Sequence, residues 1–189
     1  NISLYDAMKG TITNGADQWQ NQRYISAHTI LLALEGIPAF YIHSLLATEN
    51  AHDLQKETGQ ARSINRYCWE QKALNKELSD VDRHHKVIFD ELKRRIDIRK
   101  KQPAFHPNAT QLTLHLGDQL FAFWRESLDR HQSIFALHNV SDQPAKVSLN
   151  ELNLISTDNW RDLLTDQKFT NVKEDIELPP YGCVWISNA

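Results

Sequence analysis

The sequence predicts an α/β region followed by an all-β region. Residues 31–41 have the pattern of a helix end, a glycine turn and a short buried strand, which together form the repeating unit of parallel α/β folds. Residues 81–102 repeat their apolar side chains with the period of an amphipathic helix. After Pro103 the period falls to two, as in half-buried strands. We therefore expect two domains, 1–102 and 103–189.

The first domain begins with a predicted loop over residues 1–16, which are rich in glycine, threonine and serine. A helix is predicted to follow, because apolar side chains from Trp19 to Leu34 recur at three- and four-residue spacing. Asp17 is a suitable residue to begin this helix and Gly36 a suitable residue to end it.

The rest of the first domain is predicted from segment length and composition. Residues 37–41 are too short for a helix and predict a buried strand, with proline where no backbone N–H needs to reach the ladder. Residues 43–66 are rich in polar and turn-forming residues and predict a long loop, and loops of that length are usually functional. Helices are predicted over residues 69–78 and 81–102, with Val81 facing the core of the domain.

The second domain is predicted to be a compact antiparallel sheet or sandwich. Leucines at positions 112, 114 and 116 alternate with polar residues, and Gly117-Asp118 has the pattern of a hairpin turn. Short strands separated by turn residues are predicted at residues 112–116, 120–126, 132–140, 146–149 and 183–187.

The composition disfavours several functions. A net charge of −3 and a pI near 6.3 argue against a nucleic-acid or anionic-membrane partner, because proteins that bind these are usually basic. No apolar run approaches the ~20 residues of a membrane span. The opening on Asn1 predicts a fragment of a longer protein. Two cysteines are few for a disulfide framework, so we expect a cytoplasmic location, with a single Cys68–Cys183 bridge as the alternative.

Two arginines in the predicted long loop are candidate binding residues. A guanidinium can grip a carboxylate through two hydrogen bonds, and such a pair can hold sugar hydroxyls. Arg62 and Arg66 suit this role, although loop arginines are more often solvated or paired with loop atoms. Tyr5, in the predicted N-terminal loop, is a further candidate contact.

The histidines do not predict a metal site. Among the nine histidines no pair is four residues apart, and His84 and His85 are adjacent on a predicted helix, so that they point in different directions. No phosphate-binding loop, serine–histidine–aspartate order or pair of glycosidase carboxylates is recognisable. We therefore expect neither a metal nor a cofactor.

Three segments resemble one family. They are NISLY (1–5), GIPAFY (36–41) and GQARSINR (59–66). The Gly-Ile-Pro-x-x-Tyr pattern resembles the eighth barrel strand of the α-amylase superfamily, glycoside hydrolase family 13. The segment GQARSINR (59–66), which we call the arginine loop, resembles that of the sucrose phosphorylase branch. It differs by an insertion between Gly59 and Arg62 and by Ser63. These differences indicate a sister specificity, such as that of the glucosylglycerate phosphorylases.

The resemblance implies a fold and an activity. The fold would be the C-terminal portion of a (β/α)8 TIM barrel, followed by a small antiparallel β domain. The activity would be that of a retaining phosphorylase, which transfers glucose from sucrose or glucosylglycerate to inorganic phosphate and gives α-glucose 1-phosphate. The catalytic carboxylates would lie upstream of residue 1, so the fragment alone would be inactive and would need the rest of the barrel or a second copy as its partner.

The resemblance also assigns roles to residues of this chain. The position of Arg62 corresponds to the glucose subsite. Tyr5 and Asp6 belong to a loop that shapes the acceptor side, where Asp6 replaces a residue linked to fructose binding. His43 follows the predicted eighth strand and would reach the site. Two alternatives remain: a family 13 hydrolase that uses water, and a non-catalytic carbohydrate-binding or structural β-module.

Overall fold

The computed structural model describes residues 1–152, 154, 159–171 and 173–188. Helices dominate its first hundred residues and strands the remainder. In chain order the helices are α1 (Leu4–Ala7), α2 (Gln20–Ala33), α3 (Ile42–Leu45), α4 (His52–Thr58), α5 (Gln71–Ser79) and α6 (His84–Arg99). Short 3₁₀ turns cover Ala61–Asn65, Pro103–Phe105 and Leu149–Leu152.

The strands form three antiparallel sheets. They are β1 (Gly10–Thr11), β2 (Gly15–Ala16), β3 (Thr110–Leu114), β4 (Leu120–Glu126), β5 (Ser133–Asn139), β6 (Ala145–Ser148), β7 (Trp160–Asp162), β8 (Lys168–Phe169), β9 (Asp175–Leu178) and β10 (Cys183–Ser187). The predicted fold class, an α/β region followed by an antiparallel β domain, is confirmed as a mixed helix and sheet structure with an antiparallel β-sheet.

The described residues fall into two compact units. The first comprises Asn1–Ile25 and Ala39–Arg94, and the second comprises Ser26–Pro38 and Arg95–Ala189. Because these units are interleaved in sequence, they do not test the predicted domain boundary at residue 102, which stays a prediction.

The core of the first unit is built around two tyrosines and one face of α6. Tyr5 and Tyr24 meet edge to face, with ring centroids 5.4 Å apart, and both rings are buried. Ile88 and Leu92 lie one turn apart on α6, so their side chains share a face and pack into the same cluster. The prediction that Val81 faces this core is wrong: the residue precedes α6 and is 71% exposed.

The predicted buried strand at residues 37–41 is not formed. The segment has no regular secondary structure and pairs with no strand among the described residues, and Ile37 and Tyr41 are 84% and 51% exposed. A parallel strand takes its backbone hydrogen bonds from neighbouring strands. The described residues offer this segment no such neighbour, so the local pattern alone does not produce a strand.

Two predicted loops contain helices. In the first, residues 1–16, the Ser3 hydroxyl accepts a hydrogen bond from the backbone of Asp6 and caps α1. In the second, residues 43–66, α3 and α4 form, and Gly59 ends α4 with a left-handed φ of 63°. Both predictions were wrong because the helices are short and polar and lack the apolar periodicity that marks a helix in sequence.

The predicted longer helices are confirmed with shifted ends, as α2, α5 and α6. The observed ends differ from the predicted ones because helix boundaries are the least certain part of a sequence prediction.

The second unit is a two-layer β structure. Its main sheet has the strand order β3-β4-β5-β10-β7-β8, and β6 pairs with β9 in a smaller sheet. Apolar side chains from both sheets form one buried cluster, which includes Leu137, Val147, Leu178 and Ile186. The four later predicted strands are confirmed as β4, β5, β6 and β10, while β3 ends at Leu114 rather than at residue 116.

The main sheet carries a buried cation on β4. Arg125 is fully buried, and its guanidinium donates hydrogen bonds to the backbone carbonyls of Ala33, His106 and Thr110 over 2.8, 2.9 and 3.3 Å. Carbonyl oxygens thereby replace the water that the charge would otherwise need.

Candidate functional site

A cavity in the first unit brings together the three segments from which the sequence predicted a site. Its volume is about 240 Å³. The N-terminal segment, the segment after residues 37–41 and the arginine loop all contribute to its lining, which consists of Ile2, Ser3, Leu4, Ala7, Tyr41, His43, Ser44, Thr48 and Asn65. We call it the small cavity. Most of its lining surface is apolar, and its polar side-chain groups are hydroxyls, one amide and one imidazole.

His43 lines the small cavity, and its predicted contact with the substrate stays a prediction. It lies on α3, half-buried, with Nδ1 3.2 Å from the Thr48 hydroxyl. The same hydroxyl oxygen accepts a hydrogen bond from Trp69 Nε1 over 3.0 Å. Burial lowers the pKa of His43, because the charged imidazolium loses solvation, so the ring is neutral near pH 7.

Asp6 does not line the small cavity but forms a hydrogen bond that connects two of the segments around it. One of its carboxylate oxygens, Oδ2, accepts a hydrogen bond from the Asn50 backbone N–H over 2.6 Å. In return the Asn50 side-chain oxygen accepts a hydrogen bond from the Ser3 backbone N–H over 2.7 Å. These reciprocal bonds tie α1 to the segment that follows α3. The predicted contact between Asp6 and the acceptor stays a prediction.

The predicted placement of Tyr5 in a loop is wrong. It lies on α1 and is only 6% exposed, because its ring stacks on His84 at 4.6 Å and its hydroxyl donates to the Asn21 side chain over 2.8 Å. Burial, reinforced by the carboxylates of Glu49 and Asp6, raises the pKa of Tyr5 to about 12. The tyrosine is neutral in this position, and its predicted substrate contact stays a prediction.

Arg62 is presented on a firmly anchored turn. Its neighbours Ser63 and Ile64 are buried, and the Ile64 carbonyl accepts a hydrogen bond from the Ala51 backbone over 2.6 Å. The Arg62 side chain itself is exposed, and its Nε donates to the Gln60 side chain over 2.9 Å. Arg66 is also exposed. The structure therefore fixes the backbone beneath Arg62 and leaves its guanidinium accessible; the roles predicted for both arginines stay predictions.

A second cavity of about 820 Å³ lies beside the first and shares Thr48 with it. Trp69 and His85 meet edge to face in its wall, with centroids 5.1 Å apart. Burial, together with the neighbouring His85, lowers the pKa of His84, whose Nε2 is buried without a hydrogen-bond partner in the described part of the chain. Thr48 and Trp69 were missed as site residues in the sequence, because no local pattern indicates a contact between positions so far apart.

No group of three histidine, cysteine, aspartate or glutamate side chains comes together among the described residues in a way that could hold a metal. Both cysteines are free thiols, so the alternative Cys68–Cys183 bridge is not formed. Burial raises the pKa of the Cys183 thiol. In the described ranges no helix has both the length and the apolar character needed to cross a bilayer.

Comparison with known proteins relates the chain to carbohydrate-active enzymes. Residues 110–185 match the family described as Maltogenic Amylase, C-terminal domain. The glucosylglycerate phosphorylase of Allomeiothermus silvanus is 32% identical over 185 residues, which are 98% of this chain and 30% of that protein. The glucosylglycerate phosphorylase of Escherichia coli strain K12 is 28% identical over 98% of this chain and 31% of its own length. The chain thus spans less than a third of the curated relatives it matches.

Solved structures of α-amylase relatives share the fold. An Anoxybacillus α-amylase superposes with a TM-score of 0.66 at 19% identity, covering 90% of this chain and 33% of that one. The pullulanase of Anoxybacillus sp. LM18-11 gives a TM-score of 0.68 at 14% identity, over all of this chain and 26% of its own. The family resemblance drawn from the sequence motifs is confirmed. Along almost its whole length the chain is similar to part of the glucosylglycerate phosphorylases, and its second half matches the C-terminal domain of maltogenic amylases.

Proposed function

We propose that this chain is the C-terminal part of a retaining glucosyl phosphorylase that acts on glucosylglycerate or a related α-glucoside such as sucrose. The observation that carries the proposal is the similarity to two glucosylglycerate phosphorylases over 98% of the chain, which includes the segments around the small cavity.

The reaction would proceed in two displacements. A carboxylate attacks the anomeric carbon of glucose and breaks the bond to the leaving oxygen, which takes a proton from a second carboxylic acid. A phosphate oxygen then attacks the glucosyl–enzyme ester, and α-glucose 1-phosphate forms with the carboxylate released. The residues that carry out these steps would lie on the part of the barrel that precedes this chain.

This chain would contribute groups that hold and orient the sugar. Among the described residues the Arg62 guanidinium uses Nε for Gln60, so its two terminal nitrogens are available for a carboxylate that itself holds sugar hydroxyls. His43 would contact the substrate from the wall of the small cavity, and the segment of Tyr5 and Asp6 would shape the acceptor side. Their common effect would be to orient the sugar for attack.

The proposed partner is the preceding part of the barrel. Ile2, Leu4, Tyr41 and Ile42 are exposed apolar residues of the first unit, and apolar side chains grouped in this way usually mark an interaction surface. A second copy of the chain is the alternative partner for this surface.

We also propose inorganic phosphate as a substrate and the cytoplasm as the location. The two free thiols are consistent with a reducing compartment.

The experiment that tests the function uses the full-length protein. It is incubated with inorganic phosphate and a panel of α-glucosides, and glucose 1-phosphate is measured. We expect phosphate-dependent product from glucosylglycerate, sucrose or a close analogue. Release of free glucose at the same rate without phosphate would instead identify a family 13 hydrolase. Sugar binding by the β domain with no turnover by the whole protein would identify a carbohydrate-binding module.

A further inference from the structure

A chain of three side chains forms part of the wall of the small cavity. Trp69 Nε1 donates a hydrogen bond to Thr48 Oγ1 over 3.0 Å, and that oxygen lies 3.2 Å from His43 Nδ1. Thr48 is 5% exposed and lines both cavities. The direction of each hydrogen bond follows from what each group can donate and accept.

An indole nitrogen can only donate, so Thr48 accepts the hydrogen bond from Trp69. A threonine hydroxyl has one proton of its own to donate, and among the described residues His43 Nδ1 is the acceptor within reach. If Nδ1 carried a proton instead, the hydroxyl proton of a buried threonine would have no acceptor, which is unfavourable. The arrangement therefore favours Nδ1 as the acceptor, with the ring proton on Nε2.

The surroundings of His43 support a single state of the ring. The Tyr41 ring packs against the imidazole at 5.0 Å and 71°, which restricts its rotation. Burial lowers the pKa of His43 and so favours the neutral form, in which the two nitrogens differ. In the described part of the chain Nδ1 makes the ring's hydrogen bond, which leaves Nε2 for a ligand in the small cavity.

We propose that Thr48 and Trp69 are positioning residues, which hold His43 as the Nε2–H tautomer so that it donates a hydrogen bond to an oxygen atom of the substrate. The ligand atom must then be an acceptor, such as a hydroxyl or carboxylate oxygen. The opposite tautomer would present a lone pair and could only accept. The proposal rests on the proposed function for the identity of the ligand, but not for the state of the ring.

The first test measures the tautomer directly. The full-length protein is labelled with ¹⁵N-histidine, and the His43 signals are assigned by their loss in His43→Gln. We expect the nitrogen shifts of an Nε2–H ring in the wild type and in Thr48→Ser, which keeps the hydroxyl. In Thr48→Val, which removes it, we expect a mixture of tautomers. An Nδ1–H ring in the wild type, or no change in Thr48→Val, would overturn the proposal.

The second test is kinetic. We expect kcat/KM for phosphorolysis to fall about tenfold in Thr48→Val, the usual effect of losing one neutral hydrogen bond, and to stay within about twofold of wild type in Thr48→Ser. Trp69→Phe keeps an aromatic ring but removes the indole N–H that donates to Thr48. Its kcat/KM should lie between the values of the two Thr48 variants. Thr113→Val, at an exposed position of β3, is the control and should match the wild type. Wild-type rates in Thr48→Val would refute the positioning role.

The two tests separate this proposal from the proposed function. If the wild-type protein forms no glucose 1-phosphate, the function fails while the tautomer measurement still decides the state of His43. If phosphorolysis is observed but neither Thr48→Val nor Trp69→Phe changes the ring or the rate, the function stands and the positioning role fails.

Discussion

At the scale of single residues, Arg62 is the position where a conservative change should have the largest functional effect. Its side chain is exposed and packs against little, so Arg62→Lys should fold normally. A lysine cannot form the planar pair of hydrogen bonds, and we expect kcat/KM of the full-length enzyme to fall about 100-fold, or about 2.7 kcal/mol of transition-state stabilisation.

Arg66→Lys is the matched control for Arg62→Lys, because it makes the same chemical change at an exposed position of the same loop. The kcat/KM of phosphorolysis, measured at steady state for both variants, compares the two positions. Equal rates for Arg62→Lys and wild type would remove Arg62 from the site.

His138 should make the free energy of unfolding depend on pH. It is fully buried on β5, its Nδ1 lies 3.0 Å from the Phe121 carbonyl, and Nε2 is one of the buried atoms without a partner in the described chain. Burial lowers the pKa of His138 to about 4. The unfolded chain, with an ordinary histidine pKa near 6.5, therefore binds the proton first as the pH falls.

We expect this histidine to remove up to about 3 kcal/mol of the free energy of unfolding between pH 6.5 and pH 4. His138→Gln has no titrating group there, so its stability should change less over the same range. Urea unfolding of the full-length protein at several pH values measures the difference. Parallel curves for the two proteins would show that His138 is solvated or paired in the folded state.

At the scale of secondary structure, Gly59 sets the end of α4 and the start of the arginine loop. Its φ of 63° lies in the left-handed region, and a Cβ at this position would meet no atom within 4 Å. Gly59→Ala should therefore cost about 1 kcal/mol through backbone strain alone. Gly59→Asn, which tolerates this conformation better, should cost less, and thermal unfolding of both variants compares them. An equal loss for both would point to a cause other than φ.

The elements that could be predicted from sequence are those whose signal is local. β4 and β10 have the predicted bounds because each is a short, mostly apolar run of the kind that forms a buried strand. Residues 37–41 have an equally apolar pattern but no partner strand in the described chain, and pairing is not encoded in the segment itself. The short strands β7, β8 and β9 were missed because two to four residues are too few to show a period.

The candidate site shows the same difference between local signals and contacts that join distant segments. Arg62 and His43 could be named as candidates because each stands next to a recognisable motif, and their contacts with the substrate stay predictions. The hydrogen bond from Trp69 to Thr48 spans 21 positions and depends on how α3 and the segment before α5 pack, which no spacing rule describes. The burial of Tyr5 was missed for a related reason, since its partners Asn21 and His84 lie on two other helices.

At the scale of the whole molecule, the exposed apolar residues of the first unit predict dependence on a partner. We expect the 189-residue chain alone to give no glucose 1-phosphate and to regain activity when combined with the separately produced N-terminal part of the enzyme. Ile42, 55% exposed on α3, is a suitable probe of that surface.

Ile42→Glu should weaken this complementation, because a carboxylate would have to be buried at the interface. Lys56→Glu also places a glutamate on an exposed helical position, on α4, and serves as the control. Recovered activity titrated against the concentration of the N-terminal part gives both affinities. Full activity of the isolated chain would contradict the expected dependence.

The position of β10 in the main sheet affects how the protein is made. Residues 183–187 insert between β5 and β7, so the strand translated last among the six is also the one that joins the two halves of the sheet. Until the ribosome has released that segment, β5 and β7 each present an open edge to solvent, and such edges can pair with the wrong strand. A nascent chain stalled before residue 183 would therefore expose both edges and would be a substrate for chaperones.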